Sequence, residues 1–166
     1  MQNQMNKYRR LKNLFLRQSY LDAWEDYQRS ILKKSFPKWD YIVLTASNEE
    51  QGKAFQKQIE YRSEKGVLPD ATKFLVIPDP DGKRIGSGGA TLHVLRTLSE
   101  REGFLGDFHG KRILVIHSGG DSKRVPQYSV CGKLFSPVPR ELPDGRGSTL
   151  FDEFLIGMSG VPSRFK

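Results

Sequence analysis

Three short apolar runs, each followed by a turn and a segment with helical spacing, constrain the fold of this chain most strongly. The runs lie at residues 41–46, 74–77 and 112–117 and are rich in β-branched side chains. Runs of this kind are typical of strands that are buried on both faces. Connections long enough to hold a helix join such strands in parallel. The sequence therefore predicts an α/β fold: a mostly parallel sheet in a three-layer arrangement.

The segments between these runs carry helix signals. Residues 5–34 place apolar side chains at helical spacing without Gly or Pro, which predicts one or two amphipathic helices closed by Pro37. Asn48, after the first run, can cap a second helix that should end near Gly66. We therefore divide the chain into a basic N-terminal helical segment, residues 1–37, and an α/β segment, residues 38–166.

Charge and composition limit the classes of function that this chain can have. The formal net charge is +8, and residues 1–40 hold nine basic against four acidic side chains. Such a concentration at one end favours a solvated helix face over a nucleic-acid surface, which would spread Lys and Arg over one folded face. No apolar run approaches the roughly 20 residues of a membrane span. The single cysteine, Cys131, cannot form an internal disulfide, which fits a reducing cytoplasm. Together these observations predict a cytoplasmic protein without nucleic-acid or membrane partners.

A glycine-rich turn follows the second run, where a parallel sheet usually binds its ligand. Glycines let a ligand approach the backbone, and the helix that follows directs unpaired N–H groups at an anion. The candidate phosphate-binding residues are Lys83, Arg84, Gly86, Ser87, Gly88 and Gly89, ahead of a helix that should begin near Ala90. An ordinary tight turn between strand and helix is the alternative.

A second glycine turn follows the third run, with Gly119 and Gly120 ahead of Arg124 and, further on, Lys133. The segment is similar to a pyrophosphorylase signature. In such a site the glycine amides would hold a nucleotide, while Arg124 and Lys133 would neutralise a triphosphate and the departing pyrophosphate. A basic turn on a solvated surface is the alternative.

Taken together and in order, three segments resemble the bifunctional L-fucokinase / L-fucose-1-phosphate guanylyltransferase family. They lie at residues 39–48, 78–92 and 117–133, and the block at residues 81–92 is the most distinctive. The resemblance implies a Rossmann-like nucleotidyltransferase fold and transfer of a guanylyl group from GTP to L-fucose 1-phosphate with Mg²⁺. It assigns nucleotide contacts to the glycine turns and phosphate contacts to Arg124 and Lys133. No segment resembles the family's kinase.

Other functions stay open on the sequence: a pyrophosphorylase for another sugar 1-phosphate or another base, and a non-catalytic nucleotide-binding or interaction module. The metal ligands are not identifiable. None of the carboxylates that follow Lys133 ends an apolar strand, namely Glu141, Asp144, Asp152 and Glu153. Asp144 lies in a predicted turn, and Asp152 and Glu153 lie in a helix that should begin near Thr149. We therefore expect an incomplete domain that does not turn over alone and that can self-associate through an open sheet edge.

Overall fold

The computed structural model of the protein describes residues 2–118 and 132–165, with side chains from residue 5 onward. Helices and strands alternate along the first two thirds of the chain, and a hairpin and a helix follow. The elements are α1 (Gln2–Leu32), β1 (Tyr41–Ala46), α2 (Glu49–Glu64), β2 (Lys73–Pro78), α3 (Gly86–Glu102), β3 (Ile113–His117), β4 (Pro137–Glu141), β5 (Gly147–Thr149) and α4 (Leu150–Ser159). The three predicted strands are confirmed to within one residue at each end.

β1 lies at the centre of a three-stranded parallel sheet of order β2-β1-β3. Its register pairs Thr45 with Ile77 of β2 and with His117 of β3. The parallel pairing predicted from the sequence is therefore confirmed. Because the chain leaves β1 toward β2 and later returns to its other side, the carboxyl end of β1 is the point at which the strand order reverses.

The two faces of β1 belong to two separate hydrophobic clusters. Ile42 and Leu44 pack with residues of α1, α2 and α4, whereas Val43 packs with Val94 and Leu98 of α3. Successive residues of a strand point to opposite faces, so both faces must be covered when all six residues are buried, as they are in β1. Helices lie on both faces of the sheet, as the sequence predicts.

α1 is one continuous helix of 31 residues rather than two. Its second half joins the core through Trp24 and Tyr27, whereas Tyr8 and Phe15 in its first half are 80% and 73% exposed. Among the described residues, no helix is both long and apolar enough to cross a membrane. The boundary that we place after residue 37 stays a prediction.

A short antiparallel hairpin, β4 paired with β5, was not predicted from the sequence. Pro137 and Pro139 lie in β4 and argue against a strand in the sequence, but both are exposed in a two-stranded hairpin, where an edge strand tolerates proline. The turn predicted around Asp144 is confirmed between the two strands. The helix predicted to begin near Thr149 is α4, whose capping box joins Thr149 and Asp152.

A buried ion pair fastens α2 to the start of α4. The Arg62 guanidinium donates from Nε and Nη2 to the two carboxylate oxygens of Asp152 at 3.0 and 3.1 Å. Arg62 also lies over the rings of Phe135 and Phe151, with its central carbon 4.9 and 5.5 Å from their centroids. Both charged side chains are only 9% exposed, so their charges are stabilised by one another rather than by water.

Candidate functional site

A cleft opens at the carboxyl edge of the sheet, where the strand order reverses. The ends of all three parallel strands and the start of α3 contribute to its wall, through Thr45, Ala46, Ser47, Asp79, Arg84, Gly86, Ser87, Ala90, His117 and Ser118. Its volume is about 220 Å³, which is below the roughly 300–1,000 Å³ of a typical small-molecule site. The described part of the cleft therefore has room for a portion of a nucleotide, such as its phosphates.

The first glycine segment lies in the helix itself. We expected a glycine turn ahead of a helix that begins near Ala90, but α3 begins at Gly86, so the expected boundary is wrong. Gly86 has a φ of 71°, a left-handed conformation that glycine adopts without strain. Ser87, Gly88 and Gly89 thus form the first turn of α3, whose N–H groups have no partner within the helix.

Two cations precede this turn. Lys83 and Arg84 are exposed, and Arg84 lines the cleft. The structure thus brings Arg84, Gly86 and Ser87 to one wall, in agreement with the position expected from the sequence. Whether these residues bind phosphate stays a prediction.

His117 connects the opposite walls of the cleft. Its Nε2 lies 3.1 Å from the Thr91 hydroxyl of α3, and its Nδ1 lies 3.5 Å from the Thr45 hydroxyl of β1. Thr91 in turn donates to the carbonyl oxygen of Ser87 at 2.9 Å. The end of β3 is therefore joined to the glycine-rich turn by side-chain hydrogen bonds.

The second predicted segment lies mostly outside the described residues. This applies to Gly119, Gly120 and Arg124, whereas Lys133 is described and half-buried. Among the residues that the structure describes, no ion pair holds the Lys133 ammonium group.

Gly132 places the backbone before Lys133 tightly against α2. A Cβ atom at Gly132 would lie 2.7 Å from Nε2 of Gln51 and 3.1 Å from Cζ of Phe55, and its φ is 72°. The side-chain oxygen of Gln51, Oε1, accepts from the Ser47 N–H at 2.8 Å and lies 3.4 Å from the Ser118 hydroxyl. Because Ser47 and Ser118 line the cleft, Gln51 connects the backbone beside Lys133 to the same edge of the sheet.

Three residues that line the cleft were missed from the sequence, namely Thr45, His117 and Ser118. Gln51 and Thr91, which hydrogen-bond to residues that line it, were missed as well. Thr45 and His117 could have been found from their position in the sequence. They stand at the carboxyl ends of predicted parallel strands, where ligands usually bind. Gln51 and Thr91 carry no such signal, since their roles depend on which side chain of a helix faces the strand ends.

Residues 106–166 match the fucose pyrophosphorylase domain family. A bifunctional fucokinase/GDP-fucose pyrophosphorylase from Arabidopsis thaliana is 39% identical over 151 residues, which cover 78% of this chain. The chain belongs to the fucokinase and fucose-1-phosphate guanylyltransferase family. A fucose-1-phosphate guanylyltransferase from Mus musculus is 40% identical over 102 residues, or 61% of this chain. No solved structure matches the chain at a significant level.

The chain spans only a small part of these family members, 14% of the Arabidopsis relative and 17% of the mouse relative. The similarity to the Arabidopsis relative extends over more of the chain than the matched domain does.

The described residues do not form a metal site for the family's expected Mg²⁺. No group of three His, Cys, Asp or Glu side chains suitable for a metal occurs within residues 2–118 and 132–165. Asp79 is the one carboxylate among the residues that line the described cleft. Downstream, Asp144, Asp152 and Glu153 each pair with an arginine. We therefore derive no catalytic step through a metal held by these residues.

Proposed function

We propose that the chain is part of an enzyme that transfers a guanylyl group from GTP to L-fucose 1-phosphate. The observation that carries the proposal is the cleft at the reversal point of a parallel sheet, lined by the glycine-rich start of α3. That geometry suits a phosphate chain, because unpaired N–H groups and the positive end of the helix dipole face the anion. The named activities of the relatives agree with this chemistry.

In the proposed reaction, a phosphate oxygen of L-fucose 1-phosphate attacks the α-phosphorus of GTP. A bond forms between that oxygen and phosphorus, and the bond from the α-phosphorus to the oxygen that bridges to the β-phosphate breaks. The electron pair leaves with pyrophosphate, and GDP-L-fucose remains. The protein's main task is then to orient the phosphates and to stabilise the negative charge.

Within this mechanism, the amides of the first turn of α3 would hold GTP phosphates, with Lys83 and Arg84 nearby. Lys133 and Arg124 would neutralise the charge that develops on the pyrophosphate. When bound with the triphosphate, Mg²⁺ would supply further charge compensation.

The proposal includes a Rossmann-like nucleotidyltransferase fold in which the three-stranded sheet is part of a larger one. It also includes a cytoplasmic location, in keeping with the single cysteine. Self-association through β2 or β3 is a further part, since each of these strands pairs along one edge only among the described residues.

The decisive experiment measures pyrophosphate release by the complete protein that contains this chain. GTP with L-fucose 1-phosphate should give the highest kcat/KM, and ATP, UTP or other sugar 1-phosphates should give lower values. A higher value for a different pair would replace the proposed substrates. No turnover with any pair would contradict the enzyme assignment.

A second candidate is a non-catalytic interaction module, favoured by the exposed Tyr8 and Phe15 of the basic helix α1. Large exposed apolar side chains among cations are typical of surfaces that contact a partner. Calorimetric titration with GTP separates the two functions. An interaction module should release no detectable heat across millimolar GTP, whereas an enzyme should bind.

Gly88 provides a test of the nucleotide site that separates binding from stability. No atom of the described residues lies within 4 Å of a Cβ built at Gly88, and its φ is not positive. Gly88→Ala should therefore raise the free energy of unfolding by about 0.5 kcal/mol, because alanine favours a helix. The same methyl group would stand where phosphate approaches the amides, so GTP affinity should fall roughly tenfold.

Gly157→Ala is a matched control for this substitution. Gly157 is an exposed glycine of α4 with no atom of the described residues within 4 Å of an added Cβ. It should give a similar gain in stability without any change in GTP affinity. Unchanged GTP affinity in Gly88→Ala, measured calorimetrically, would remove the start of α3 from the nucleotide site.

A further inference from the structure

The start of α3 is poorly stabilised by its own sequence. Three of its first four residues are Gly86, Gly88 and Gly89, and a glycine costs a helix up to about 1 kcal/mol relative to alanine. The N-cap residue, Ile85, makes no side-chain capping hydrogen bond. A helix that begins in this way needs a contact from elsewhere in the fold to keep its first turn in place.

The hydrogen bonds around His117 supply such a contact, and the donor in each one can be assigned. The Thr91 hydroxyl has a single proton, which it gives to the Ser87 carbonyl oxygen, since a carbonyl only accepts. His117 Nε2, 3.1 Å away, must therefore be the donor to Thr91. In the neutral imidazole, Nδ1 is then an acceptor, and the Thr45 hydroxyl 3.5 Å away can donate to it.

The series of hydrogen bonds continues into the backbone directly after β3. The Thr45 oxygen accepts from the Ser118 N–H at 3.4 Å. The donors and acceptors are therefore consistent along the whole series. It runs from the Ser118 N–H through the side chains of Thr45, His117 and Thr91 to the Ser87 carbonyl oxygen. Because the Ser87 carbonyl belongs to the glycine-rich turn, its position depends on the His117 ring.

We propose that His117 is a positioning residue of the nucleotide site: by donating from Nε2 to the Thr91 hydroxyl, it holds the glycine-rich turn of α3 in place. The inference rests on the proposed function, since it assigns the ordered turn to GTP binding. The proposed role does not use His117 as a general base. The attacking phosphate monoester needs none, since its second pKa of about 6 leaves it largely ionised at neutral pH.

Variants at Thr91 and His117 test the contact. Thr91→Val removes the hydroxyl with little change of shape, Thr91→Ser keeps it, and His117→Leu removes both ring nitrogens. We expect Thr91→Val and His117→Leu each to weaken GTP affinity roughly three- to tenfold, the range for one lost hydrogen bond. Amide hydrogen exchange at residues 90–92, whose N–H groups bond to the carbonyl oxygens of the first turn, should also become faster in both variants. Thr91→Ser should retain the affinity and the exchange rates of the unmodified protein.

The double variant shows whether the two residues act together. If His117 acts through Thr91, the combination of His117→Leu and Thr91→Val should bind GTP no more weakly than the worse single variant. Thr97→Val, further along α3, is the matched control and should leave affinity and local exchange unchanged. A merely structural role would instead lower global stability and speed exchange throughout the protein.

The outcomes separate this inference from the proposed function. Failure of the unmodified protein to bind GTP would overturn the proposed function, and with it the nucleotide role of His117. Unchanged exchange at residues 90–92 in Thr91→Val would overturn the contact itself. Fully additive losses of affinity in the double variant would also overturn it, because the two residues would then act independently.

Discussion

Asp152→Ala is expected to lower the free energy of unfolding by about 3–5 kcal/mol, the usual cost of removing one partner from a buried ion pair. The variant would leave the Arg62 guanidinium buried without a carboxylate, in contact with the rings of Phe135 and Phe151. It would also remove the capping box of α4, since Asp152 accepts from the Thr149 N–H. Urea denaturation of the unmodified and variant proteins measures the difference.

Two controls show that the loss comes from an unpaired buried charge. Arg96→Ala breaks an exposed pair with Glu100, whose side chains are 79% and 63% exposed, and should cost less than about 0.5 kcal/mol. Combining Arg62→Met with Asp152→Leu should recover much of the stability, because neither charge is then buried alone. A loss below about 1 kcal/mol in Asp152→Ala would contradict a buried, structural role for the pair.

The same carboxylate should make the stability depend on pH. Burial by itself would raise the pKa of Asp152, but the hydrogen bonds from Arg62 and Thr149 outweigh burial and hold this pKa below its ordinary value. The stabilisation is therefore present above the unfolded-state pKa of about 3.9 and is lost as pH falls through the lower folded-state pKa. Asp152→Asn should lack this part of the acid-induced loss, which denaturation curves at several pH values can measure.

The sheet could be predicted from the sequence because local signals and burial agree in its strands. In β1 all six residues are buried, and the sequence shows one uninterrupted apolar, β-branched run. The start of α2 was also predictable, since Asn48 accepts a hydrogen bond from the Gln51 N–H as an N-cap residue should. In each case one short segment contains the whole signal.

The start of α3 and the hairpin could not be predicted in the same way. Glycine disfavours helices, so Gly86 to Gly89 indicate a turn, yet tertiary contacts such as that between Thr91 and His117 keep them helical. In the hairpin, the prolines of β4 argue against a strand, although an exposed edge strand can contain them. The start of α3 depends on contacts between residues that are distant in the chain. The hairpin strand depends on its exposed position in the fold.

The cleft itself depends on register. Thr45 and His117 meet because β1 and β3 pair with these two residues side by side. A strand's existence can be inferred from its own residues, but its register with a strand 70 positions away depends on packing across the sheet. The sequence could therefore place candidate residues at one edge without showing which of them touch.

Lys133→Ala, in the complete enzyme, is expected to lower kcat/KM roughly 30- to 1,000-fold, which corresponds to about 2–4 kcal/mol of transition-state stabilisation. Arg124→Ala should have an effect of similar size by the family resemblance, although Arg124 lies outside the described residues. The free energy of unfolding should change far less in either variant. A long basic side chain beside a glycine turn is expected to contact a bound anion rather than to pack in the hydrophobic core. Pyrophosphate release measures the first effect, and denaturation measures the second.

The surroundings of Lys133 support this expectation. Its side chain is half-buried, yet no carboxylate among the described residues pairs with its ammonium group. Such a cation can form charge-assisted hydrogen bonds with a bound phosphate. Gly132, packed against Gln51 and Phe55, fixes the backbone from which that cation extends. Lys57→Ala, at an exposed position of α2, is a control that should keep full turnover. Unimpaired kinetics in Lys133→Ala would mean that the ammonium group does not contact the transferring phosphates.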